Sequence, residues 1–69
     1  MTEKEILRYA IRGIAAEISE WWEKRNAVLS LDPDVLSPQE LLEMVFGINS
    51  TINELKQRLE WLKNRERSL

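Results

Sequence analysis

Acid–base or metal chemistry in this 69-residue chain would have to come from carboxylates, guanidiniums and amines, because it has neither histidine nor cysteine. The missing histidine removes the usual general base and the commonest metal ligand. The missing cysteine excludes a disulfide framework, a thiolate zinc site and a cysteine nucleophile together. What remains is twelve Asp/Glu and ten Lys/Arg, a net charge of −2. Carboxylates in a helical bundle hold two metals when Glu residues and Glu-x-x-His pairs project inward. Here the carboxylates fall almost wholly off the apolar rows, and the histidine half of that motif is absent. There is no glycine-rich phosphate loop, no Gly-x-Ser-x-Gly elbow and no carboxylate pair converging on a cleft. The expectation is a protein that is not an enzyme and uses neither cofactor nor metal.

The elements that would carry any surface site are helices. Thr2 followed three residues later by Glu5 reads as a capping box, in which each side chain satisfies a free backbone donor of the first turn. Ser37 as N-cap, Pro38 at the first helical position and Glu40 form a second and stronger start. Between the two starts, Asp32-Pro33-Asp34 breaks the pattern, because Pro33 disfavours helical geometry at Asp32. The reading is one domain over residues 1–69, with helices at about 3–30 and 38–66 joined by a connector at 31–37. Gly47-Ile48-Asn49-Ser50-Thr51 is the weakest helical stretch of the second segment by propensity, a place for a kink.

Apolar residues recur at alternating four- and three-residue steps. In the second helix the row is Leu41, Val45, Ile48, Ile52, Leu55, Leu59, Leu62 and Leu69, interrupted only at Glu66. In the first it is Leu7, Ile11, Ile14, Ile18, Trp21, Arg25 and Val28, with a flanking row of Ala15, Trp22 and Leu29. This spacing keeps one seam facing a partner helix. A short connector makes the helices antiparallel, so that Leu7 lies by Leu62, Ile14 by Leu55, Trp21 by Ile48 and Val28 by Leu41. The fold class is all-α, an antiparallel helical hairpin.

A hairpin this small has little to hold it. Below about 70–80 residues a single core rarely supplies more than ~3–5 kcal/mol without a disulfide, a metal or association. One seam leaves the flanking row wet. Two hairpins pairing into a four-helix bundle would cover it. The expectation is therefore a homodimer, with burial against a different protein as its rival and a lone hairpin third.

The remaining side chains each carry two readings. Trp21 and Trp22 are placed in a core, on the seam and the flanking row. Ile6, Tyr9, Phe46 and Trp61 fall off the seam, and Ile6, Tyr9 and Trp61 share one end of the hairpin. They are either scattered exposed residues of no consequence or a contact surface for a partner. Gly13 and Gly47 are either slight bends or points of close approach by another backbone, Gly13 with Ala10 and Ala16 nearby. Arg25 in the seam either lies with its stem over Trp21 or Trp22 and its head in water, or sets register through a carboxylate such as Glu43 or Glu17.

Charge is polarised along the hairpin. The open end, residues 1–12 with 56–69, holds Lys4, Arg8, Arg12, Lys56, Arg58, Lys63, Arg65 and Arg67 against four Glu, a net of +4. The remainder holds two basic residues against eight acidic ones, a net of −6. Helix-end preferences explain part of this. Beyond them, the acidic connector half of one hairpin suits the basic open end of another packed antiparallel, or the basic end suits phosphates.

The longest apolar run, Met44-Val45-Phe46-Gly47-Ile48, is far below the ~18 residues of a membrane span. Residues 1–5 make a poor secretory leader, so a cytoplasmic protein, or one acting inside a host cell, is expected. The layout resembles that of small helix-hairpin dimers acting as plasmid or phage regulators, a likeness of architecture that transfers no residue roles. The functional expectation is a small protein–protein interaction or assembly module with a protein partner. A nucleic-acid-binding regulator and a subunit or inhibitor that folds on a larger partner are the alternatives.

Overall fold

The computed structural model describes all 69 residues, with two helices, α1 (Glu3–Leu29) and α2 (Pro38–Arg67), packed against each other. Their starts are written locally. Thr2 Oγ1 accepts from the Glu5 backbone N–H at 3.2 Å and donates to the Glu5 carboxylate at 3.2 Å. Ser37 repeats the arrangement with Glu40, at 3.2 and 3.0 Å. Each cap thus satisfies one free amide, while the glutamate bonds the cap hydroxyl in place of the cap's own backbone N–H. Pro38 at the first turn loses no helical bond, because that amide has no intrahelical acceptor.

Both helices end on a serine. Ser30 donates to the Asn26 carbonyl through its amide (3.1 Å) and its hydroxyl (2.8 Å). At the other end of the chain, the Ser68 amide donates to the Asn64 carbonyl and its hydroxyl to the Arg65 carbonyl. The connector closes a single turn. The Val35 amide donates to the Asp32 carbonyl at 2.9 Å, with Pro33 at the position whose fixed φ suits that turn. α2 passes unbroken through Gly47–Thr51, where the Thr51 hydroxyl returns to the Gly47 carbonyl at 3.1 Å.

The seam runs the length of the pair. Leu7, Ile48, Ile52 and Leu55 are buried, and Ile52 is 2% exposed. Ile11, Ile14, Ile18, Trp21, Arg25 and Val28 on α1 are half-buried, as are Leu41, Val45, Leu59, Leu62 and Glu66 on α2. The Glu3–Arg65 and Arg8–Glu66 ion pairs, at 3.0 and 3.3 Å, tie the chain's two ends together, as an antiparallel pair requires. The Cα envelope is 52 × 15 × 12 Å, a rod without a second layer. No helix is long and apolar enough to cross a membrane.

Candidate interaction surfaces

A heptad register maintained by the seam gives the rod two unlike sides. Residues seven apart stay on one edge of a helix, and residues three or four apart are neighbours. On one side lie Arg8, Ala15, Trp22 and Leu29 of α1 with Leu42, Asn49, Lys56 and Lys63 of α2. The structure ties this edge together directly. Arg25 and Lys56 lie over the Trp22 ring at 5.3 and 5.4 Å from its centroid, and Arg25 Nε donates to Asn49 Oδ1 at 3.0 Å. The opposite side carries the Glu3–Arg65 pair and, in the same rows, Ala10, Glu17 and Lys24 of α1 with Met44, Thr51 and Arg58 of α2.

That second side holds a shallow apolar groove of about 520 Å³ near the connector. Trp21, Ala27 and Val28 line it from α1, and Met44, Gly47, Ile48 and Thr51 from α2, with Lys24 and Glu43 also on its lining. Lys24 Nζ sits 4.2 Å from the centroid of the Trp21 ring. A Cβ added at Gly47 or Gly13 would meet nothing within 4 Å, so no close approach inside the hairpin accounts for either glycine.

The first side presents the flanking row. Trp22 is 38% exposed and Leu29 is exposed, so neither belongs to the core of the hairpin itself. Their positions lie one step outside the seam, where the facing α2 residues are Lys56, Asn49 and Leu42 and no third helix covers them. Leu42 is exposed beside them, and Phe46, four residues further along α2, is 76% exposed.

At the open end the structure divides residues that the sequence groups. Tyr9 lines a small polar recess on α1 with Glu5, Arg8 and Arg12. Trp61, 66% exposed, lies between Arg58 and Arg65 on the groove side, and Ile6 lies three residues after Glu3 on that same side. The basic residues are divided too. Arg8 and Arg65 are ion-paired with Glu66 and Glu3, Arg67 donates to the Asn64 side chain, and Lys56 rests over Trp22. Lys4, Arg12, Arg58 and Lys63 form no ion pair. Arg25 finds neither Glu17 nor Glu43. Its partner is the neutral amide of Asn49, because the edge of the seam it leans over carries no carboxylate.

No group of three or more Asp or Glu side chains converges as a metal site. The fold and its surfaces define a helical hairpin with two different exposed edges. No protein-family model, curated protein or solved structure matches the chain.

Proposed function

We propose that the hairpin is a non-enzymatic interaction module that self-associates and also binds another protein, as an assembly or regulatory element. One observation carries this reading. A regular seam buries only four side chains, while Trp22, Leu29, Leu42, Met44, Phe46 and Trp61 stay exposed on its two sides. Scattered exposed apolar residues are ordinary, but large aromatics concentrated on a rod with so small a core are not. Association removes that surface from water and supplies the burial that one seam lacks.

The test is light scattering coupled to size exclusion over a hundredfold concentration range, with circular dichroism on the same samples. A mass of twice 8.2 kDa with strong helicity supports self-association. A mass of 8.2 kDa with cooperative folding refutes it, and the same mass with weak helicity points to folding on a different protein. The unpaired cations Lys4, Arg12, Arg58 and Lys63 favour a second reading, contact with phosphates at the open end. That reading requires a salt-sensitive shift of RNA or DNA that Gln at Arg58, Lys63 and Arg65 abolishes. No shift with the wild type at low salt ends it.

A further inference from the structure

We infer that the groove beside Gly47 receives Trp61 of a second copy, so that two hairpins dock antiparallel across the side marked by the Glu3–Arg65 pair. This rests on the self-association reading and adds which side pairs and in what register.

The groove and its occupant sit on one side and at matched heights. Gly47 and Trp61 lie seven residues to either side of Glu54, about 10 Å each way at 1.5 Å per residue. All three share one heptad position. Glu54 stands near the middle of the rod, so a two-fold axis at its level gives nearly full overlap of the two hairpins. It also places each exposed indole over the other copy's Gly47, where the missing side chain leaves open space. Ile6, exposed on the same side, then falls within a turn of Ala27. Large meets small at Gly47.

Charge agrees with that register. Trp61 is flanked by Arg58 and Arg65, whereas the groove half of the same side carries Glu17, Glu20 and Glu43 with Lys24 as the lone cation; Glu54, on the axis, meets its own copy. The two-fold brings Arg58 within a turn of Glu20 and Arg65 to the level of Glu43. A face of 52 × 15 Å in its Cα envelope offers on the order of 800 Å² per copy, the per-partner area of a standard stable interface.

The opposite side does not pair with itself in this way. Its open end carries Arg8, Arg12, Lys56, Lys63 and Arg67 against Glu5 and Glu60, and its connector half presents Trp22, Leu29, Leu42 and Phe46 among Ser19, Asn26, Asn49 and Asn53. A two-fold there would set a net-positive end against an apolar half with no carboxylate, so no ion pair would form across it. That side is left for a different protein.

The experiment is sedimentation equilibrium on the full chain and three variants, Trp61→Ala, Gly47→Leu and Phe46→Ser, with circular dichroism as the folding control. The exposed Trp61 and the open space at Gly47 leave the hairpin of both groove-side variants intact. The expected result is a wild-type dimer weakened at least ~10-fold by Trp61→Ala and by Gly47→Leu, as for an aromatic hot spot and its pocket, and unchanged by Phe46→Ser. A dimer that both groove-side variants leave unchanged overturns the inference while self-association stands. A wild type that remains monomeric at high micromolar concentration overturns both, and assigns the groove to another protein.

Discussion

Arg25 Nε donates to Asn49 Oδ1 across the helix pair at 3.0 Å, with the guanidinium carbon 5.3 Å from the centroid of the Trp22 ring. This is the part-buried inter-helix hydrogen bond of the hairpin; those joining Arg8 to Glu66 and Arg65 to Glu3 are exposed. A cation placed in an apolar row keeps its stem packed and its head satisfied by a neutral amide and an aromatic face. Replacing Arg25 with Ala is expected to cost about 1–2 kcal/mol of stability. A double-mutant cycle with Asn49→Ala should return a coupling of about 0.5–1.5 kcal/mol in thermal or urea melts. Additive single effects would mean that the bond contributes nothing.

Ile52 is the most buried side chain and stands near the middle of the seam. Truncation to Ala removes transfer energy and leaves a cavity, typically ~2–5 kcal/mol. In a chain with one seam that is most of the stability. Ile52→Ala should lose cooperative helical melting at 25 °C, whereas the exposed Phe46→Ala should melt like the wild type.

Ser37 makes both a helix cap and the end of the connector. Ser37→Ala deletes the acceptor for the Glu40 amide, a loss of about 1 kcal/mol. Faster hydrogen exchange at Glu40, ahead of any change in the middle of α2, is the expected signature. Ser37→Asp should preserve protection, since its carboxylate can also accept from that amide and favours the positive helix N-terminus.

Gly13 is helical, and a Cβ there would meet nothing within 4 Å. In the monomeric chain, Gly13→Ala should therefore stabilise the hairpin by up to about 1 kcal/mol through helix propensity alone. A lower melting temperature would show that an unseen neighbour occupies the space.

The Glu3–Arg65 pair joins side chains that are 57% and 48% exposed. Its removal by Arg65→Gln is expected to change stability by less than ~1 kcal/mol, with the difference shrinking further as salt is added. An effect that persists in high salt would indicate packing by the arginine stem.

The helices, their starts and the seam were legible in the residues because each is set within a turn or two of chain. Thr2 and Ser37 cap their helices, and the positions from Leu7 to Val28 and from Leu41 to Leu62 all turn inward. Alternating three- and four-residue spacing leaves few other ways to hide that much apolar surface. The ends moved by one residue: Ser30 caps α1 and α2 continues to Arg67, since last-turn hydrogen bonds depend on local geometry more than on pattern.

What lies one step off the seam required the packed pair. Trp22 and Trp21 are adjacent in sequence, yet one rests under Arg25 and Lys56 and the other lines the groove on the opposite side. Arg25 took Asn49 over either glutamate, and Arg8 and Arg65 left the basic patch for Glu66 and Glu3. These outcomes depend on the relative height and rotation of two helices, which no single helix's periodicity contains. Local spacing alone determined that the chain is two capped helices sharing a seam. The tertiary structure decided which exposed residues stand together, because the flanking positions acquire neighbours only when the second helix is in register.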